Sequence, residues 1–118
     1  MSNKNTYYTL KDLLSEFEMA IDYLNLLDFD NEVNSSNREN AIKNITKSIN
    51  YIKGILNKTN ISFYAELKSS ITYINLAKSH INLLYDLTDR NKKFIQSAVN
   101  HLDNIKQEIE GIIHHTSD

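Results

Sequence analysis

Apolar residues recur along this chain at steps of three and four. Leu10, Leu13, Phe17, Ala20, Leu24 and Leu27 make the first series, with Leu14 and Ile21 widening it. That spacing predicts a helix from about Tyr7 to Phe29 with one buried face. A second series runs through Ile42, Ile45, Ile49, Ile52, Ile55 and Leu56. A third takes Tyr64, Leu67, Ile71, Ile74, Ala77, Ile81 and Leu84, and a fourth Ile95, Ala98, Leu102, Ile105, Ile109 and Ile112. Four amphipathic helices are expected. With no proline and two glycines the chain lacks strand and turn punctuation, while Leu, Ile, Lys, Glu and Ala favour helix throughout.

Polar residues between the series suggest where the helices begin. Ser36 followed by Glu39 has capping-box spacing, and Thr88 or Asp89 can cap the fourth helix after the staple-like Leu87. Asn60 or Ser62 can start the third. Connections this short join antiparallel neighbours, so an all-α, up-down four-helix bundle is expected, its helices of about 23 residues spanning roughly 35 Å. The segment Asn57 to Ser62 lacks glycine and proline. If it stays helical, the second and third helices fuse, and two chains can exchange hairpins.

Sliding the chain against itself brings out a repeat. Gly54 and Gly111 lie 57 residues apart (111 − 54), and the same offset lays Asn25-Leu26-Leu27 on Asn82-Leu83-Leu84. It also pairs Tyr7 with Tyr64, Leu10 with Leu67, Ala20 with Ala77, Asn34 with Asn91, Ala41 with Ala98 and Ile52 with Ile109. Because 57 is not a multiple of seven, shared heptad phase does not account for the match, which runs unbroken through the Asn34 and Asn91 loops. The expectation is one domain over 1-118 built from two tandem hairpins, about 3-59 and 60-116, packed with pseudo-twofold symmetry.

Composition narrows the function classes. A chain of 118 residues suits one domain, and the absence of cysteine removes disulfides, thiolate nucleophiles and cysteine-type zinc sites. The first residues carry no apolar leader pattern, and no 18 apolar residues run together, so a cytoplasmic protein with no membrane span is expected. A net charge of −2 supplies no global pull toward nucleic acid. Charge is nevertheless uneven. The first helix carries Asp12, Glu16, Glu18 and Asp22, and the second Arg38, Lys43, Lys47, Lys53 and Lys58, so pairing between these neighbours is expected to absorb most of it.

Three sets of residues invite a chemical reading. Counted from Asp28, the loop to Glu39 puts side-chain oxygens at the first, third, fifth, ninth and twelfth positions as Asp28, Asp30, Glu32, Ser36 and Glu39. That is how a calcium loop between two helices is spaced, but Val33 stands where the sharp turn needs glycine, and a solvated acidic loop explains the same residues. Among the histidines, His80, His101, His114 and His115, none sits three residues after a helical carboxylate as bundle di-metal sites require. Glu110 and His114, four apart, make at most half of a metal site, and terminal histidines suit the negative end of a helix. Neither His80 nor His101 has the nearby Lys and Gly that accompany the phosphorylated histidine of a phosphotransfer bundle.

No nucleophile, base and orienting group fall together, and no glycine-rich phosphate loop exists. The two glycines, each costing about 1 kcal/mol in a helix interior, suggest a close helix crossing or a fraying last turn. Tyr23, Tyr51, Tyr73 and Tyr85 suit half-buried rim positions. Tyr8, Phe29, Leu76, Leu83 and Leu87 lie outside the main series and either form a second apolar surface or complete a broad core.

The sequence therefore points to a non-enzymatic interaction protein with no cofactor, whose partner is another protein or a second copy in a homodimer. Three alternatives compete: a calcium-binding loop at 28-39, a ligand pocket near His80 and His101, and a nucleic-acid accessory subunit using the lysines of the second helix with Arg90, Lys92 and Lys93.

Overall fold

The computed structural model describes residues 3-57 and 63-116, with side chains for 6-57 and 63-114. Among these the chain is all-helical: α1 (Asn3–Asn25), α2 (Glu32–Leu56), α3 (Tyr64–Asn82) and α4 (Asp89–Thr116), with no strand. The helices form a ring of neighbours 48 × 21 × 19 Å in extent. α2 packs most extensively on α3, and α1 on α4; contacts of α1 with α2 and of α3 with α4 are smaller, and among the described residues the backbones of the diagonal pairs do not approach closely.

Helix ends follow local hydrogen bonding. α1 stops at Asn25, short of Phe29, because the N–H groups of Leu26 and Leu27 tighten onto the carbonyls of Tyr23 and Leu24, both at 3.2 Å. Arg38 then reaches back from α2 to donate to the Leu27 carbonyl at 2.6 Å, with its guanidinium over the Phe29 ring. α2 begins at Glu32, before the expected Ser36 and Glu39 capping box. Asn31, in extended backbone, accepts from the Asn34 N–H at 2.7 Å, and Glu32 in the first turn suits the positive helix end. Ser36 and Glu39 are exposed within the helix instead.

Thr88 caps α4, its hydroxyl accepting from the Asn91 N–H at 3.1 Å, with Leu87 packed against the core behind it. α2 ends at Leu56 and α3 begins at Tyr64, packed against α2, so the two are separate helices. The proposed starts of the third helix, Asn60 and Ser62, lie outside the described residues.

Every member of the first apolar series from Leu10 to Leu27 is buried, and Phe17 is fully so. The other series supply the remaining core except at their edges: Ile42, Leu56, Ile71 and Ile95 are half-buried and Tyr64 is exposed. The periodicity passes over two core positions. Ser48 and Ser70 are fully buried between α2 and α3, where the Ser48 hydroxyl donates to the Ser70 carbonyl at 2.9 Å and the two hydroxyls bond each other. Positions 57 residues away hold Ile105 and Leu13, also buried. One crossing is thus polar and small, the other aliphatic.

The glycines do not mark a close crossing. A Cβ built at Gly54 or Gly111 meets nothing within 4 Å, and neither has positive φ. Each therefore costs helix stability with no packing return. Gly54→Ala and Gly111→Ala are expected to stabilise the protein by about 0.5–1 kcal/mol apiece, read as a raised midpoint in thermal melts. At the serine crossing, Ser48→Ala is expected to cost about 1 kcal/mol in urea denaturation. Ser48→Ala/Ser70→Ala should cost little more, because removing both partners strands no polar group.

Candidate interaction surface

Two buried asparagines organise the end of the molecule where α1 passes to α2 and α3 to α4. Asn34, in the first turn of α2, is 1% exposed. Its amide donates to the Tyr85 carbonyl at 2.9 Å and accepts from the Tyr85 N–H at 3.2 Å. Asn91, in the first turn of α4, donates to the Asp28 carbonyl at 3.1 Å and accepts from the Asp28 N–H at 3.4 Å. Each amide acts as a surrogate peptide unit for a loop in the other half of the chain, satisfying backbone groups that have no helical partner there. Asp86, directly after Tyr85, takes a left-handed φ of 50°, which aspartate tolerates better than most residues and which turns the chain toward α4. Among the described residues no buried side-chain nitrogen or oxygen lacks a partner.

The 57-residue offset carries one clamp onto the other: Asn34 maps on Asn91, and Asp28 on Tyr85. Asn31 and Thr88, which cap the following helices through the N–H groups of these same asparagines, are also 57 apart. The match of Asn34 with Asn91 at the 57-residue offset was the sequence signal for these clamps. Ser48 and Ser70 gave no comparable signal, since their counterparts are Ile105 and Leu13.

The loop read for calcium is mostly helix. Asp28 and Asp30 lie in the link after α1, whereas Glu32, Ser36 and Glu39 belong to α2 and follow its rise. Asp28 uses its backbone on Asn91. Among the described residues, no three His, Cys, Asp or Glu side chains lie close enough to hold a metal ion. His80 approaches Asn37 of α2 at 3.4 Å, and His101 approaches Glu16 of α1 at 3.3 Å while stacking on Tyr23, so the two contact different helices. Glu16 is further held by the Asn104 amide at 2.7 and 3.0 Å. Glu110 and His114 line an open groove of about 840 Å³ with Tyr64, Lys68 and Ile71; the His115 side chain lies outside the described residues.

The expected pairing of acidic α1 with basic α2 does not occur among the described residues. Asp12, Glu18 and Asp22 are exposed on α1, and Lys43, Lys47 and Lys53 on α2, and no ion pair joins the two helices. Their outward faces diverge from the shared seam, so these charges meet solvent. Lys47 lies over Tyr73, which stacks with Tyr51. Arg38 is occupied with Leu27 and Phe29, and Arg90 lies over Phe94.

Large apolar side chains also face outward. Met19 is 49% exposed, Leu26 48%, Leu76 43% and Leu83 59%. Met19 on α1 and Leu26 just past its end are seven residues apart, as are Leu76 on α3 and its C-cap Leu83, so the members of each pair lie on the same side of the helix. Both sets match at the 57-residue offset, as do exposed Tyr7 and Tyr64. Tyr8 is exposed too, whereas Phe29 and Leu87 pack against the core. Among the described residues no helix is long and apolar enough to cross a membrane. Comparison with known proteins finds no matching family model, no matching curated protein and no matching solved structure.

The Asn34 clamp yields a pH-dependent test. In Asn34→Asp the ionised carboxylate no longer donates to the Tyr85 carbonyl and sits buried beside it, so the folded state favours the protonated acid and raises its pKa above the unfolded value of about 3.9. The variant should therefore lie closest to wild type below about pH 4 and lose stability as pH rises through the raised folded value. Urea denaturation of both proteins across that range is the measurement; a difference independent of pH would remove Asn34 from this role.

Proposed function

We propose that this chain is a non-enzymatic interaction protein that holds another protein, or a second copy of itself, against its exposed helix faces. Its architecture on this reading is an antiparallel up-down bundle of two tandem hairpins, about 3-59 and 60-116, with pseudo-twofold symmetry. The interchange of the Asn34–Tyr85 and Asn91–Asp28 clamps under one offset supports the symmetry. Between α1 and α4, Glu16 meets Asn104 and Tyr23 meets Phe94, and between α2 and α3, Asn37 meets His80 and Ser48 meets Ser70; in both seams partner numbers fall as residue numbers rise, which supports antiparallel packing.

The observation that carries the functional reading is the recurrence of Met19 and Leu26 as Leu76 and Leu83, all exposed. A single exposed leucine needs no explanation, because folded surfaces are largely apolar. Retention of two large apolar groups on the same outer face of both halves is different. Core packing does not ask for it, and a polar side chain there would cost the fold nothing. The exposed acids Asp12, Glu18 and Asp22 of α1 and the exposed lysines of α2 add a charge pattern suited to orienting a partner.

Replacing Met19, Leu26, Leu76 and Leu83 together by glutamine separates a binding role from a folding one. The variant should melt within a few degrees of wild type, since exposed substitutions change stability little. In the cells that make the protein, chemical cross-linking should trap wild type in defined species of higher mass, and the variant should lose them. Retention of every such species by the variant would overturn the reading.

A further inference from the structure

Between Ser69 and Leu84 the exposed positions of α3 and its C-cap are Thr72, Asn75, Leu76, Ser79, Asn82 and Leu83, and none carries charge. The corresponding positions 57 residues earlier are Ser15, Glu18, Met19, Asp22 and Asn25 of α1 and Leu26 just after it, all exposed as well. The two faces share an apolar frame and differ in charge: Glu18 and Asp22 of α1 give way to Asn75 and Ser79 of α3. The other helices expose charge along their outer faces, Lys43, Lys47 and Lys53 on α2, and Arg90, Lys93, Glu108 and Glu110 on α4.

The cations in this stretch of α3 are engaged to the side. Lys78 pairs with Asp103 of α4 at 2.5 Å, and His80 meets Asn37 of α2. Both hydroxyls of the face are already bonded within the helix. The hydroxyls of Thr72 and Ser79 donate to the carbonyls of Lys68 and Asn75 one turn back, both at 3.1 Å, so covering the face strands neither.

We propose that this face of α3 docks a second copy of this chain, α3 against α3, about a twofold axis near Ser79. The inference rests on the interaction reading above and deepens it by assigning one partner to one face. A twofold axis sets a surface against itself, so a face bearing like charge repels its copy and a neutral apolar one does not. Charge is depleted in interface cores for the related reason that it must be desolvated. Leu76 and Leu83 lie three and four residues either side of Ser79. An antiparallel pair therefore sets Leu76 of one protomer against the partner's Leu83, with the small serine side chains at the crossing where the backbones come closest. The matching face of α1 offers the same apolar groups, but Glu18 and Asp22 would meet their own images there.

Sedimentation of the full chain is expected to give a dimer at micromolar concentration. Asn75→Glu/Ser79→Asp gives α3 the two acids that α1 carries at matching positions. It is expected to weaken the dimer on the order of a hundredfold while leaving helical circular dichroism unchanged. Asn75→Lys/Ser79→Lys should dissociate likewise, and mixing the acidic with the basic variant should restore a dimer containing one of each. A monomeric wild type, a dimer that both charged variants retain, or a mixture that stays monomeric would each overturn the assignment. Such a failure is distinct from failure of the broader reading, which falls only if cross-linked species survive the fourfold glutamine replacement.

Discussion

The requirement that buried backbone polar groups find partners is met in this molecule by two amides, and the relative placement of the helices depends on them. Apolar burial drives the four helices together, but it is non-directional and tolerates sliding. Asn34 and Asn91 do not tolerate it. Each must meet both the N–H and the carbonyl of one residue, Tyr85 or Asp28, and a shift of either loop by one position would break two hydrogen bonds inside a closed environment. Because each asparagine sits in the first turn of a helix and holds the loop leaving a helix of the other half, the pair sets the register of α2 on α3 and of α4 on α1. These are also the two largest packing contacts.

Along those two seams the chain solves one problem in two ways. Where α2 crosses α3, Ser48 and Ser70 bond each other, with Ala41 and Ala77 buried further along the helices. Where α1 crosses α4, matching positions hold Leu13 and Ile105, with Ala20 and Ala98 buried further along. Small residues at heptad spacing bring helices close, and aliphatic ones fill a wider gap. The two seams thus differ in packing at positions 57 residues apart, and the outer faces differ as well: Glu18 and Asp22 of α1 correspond to Asn75 and Ser79 of α3.

Much of this was legible in the sequence because apolar periodicity reports burial directly. The first series was buried at all six of its main positions, and the others erred mainly at their edges. Helix starts were less legible. Asn31 outcompeted the Ser36 and Glu39 pair, because a cap is decided by which residue has extended backbone ahead of the first turn, and spacing alone does not report that. The serine crossing was invisible to hydropathy, which counts a hydroxyl as surface whether or not it is paired. Charge was misread for a geometric reason: neighbouring helices of opposite sign pair only if their charged stripes border the seam, and here both point outward. The 57-residue correspondence was a productive signal, since it paired Asn34 with Asn91 and Leu26 with Leu83 without any knowledge of contacts, whereas Leu76 stood out only as lying outside the apolar series.

The ring arrangement also bears on how the chain acquires its structure. The helix that α1 contacts most is α4, the last of the four, while its immediate successor α2 contributes less. When the chain emerges residue by residue, α2 and α3 can meet as soon as both exist, but α1 must wait for more than sixty further residues before its main partner appears. Contacts that span so much sequence slow collapse and prolong the exposure of apolar side chains. In the interval the helix carrying Phe17 and Leu24 presents its apolar stripe unprotected, so α1 is the segment most in need of shielding while synthesis is under way.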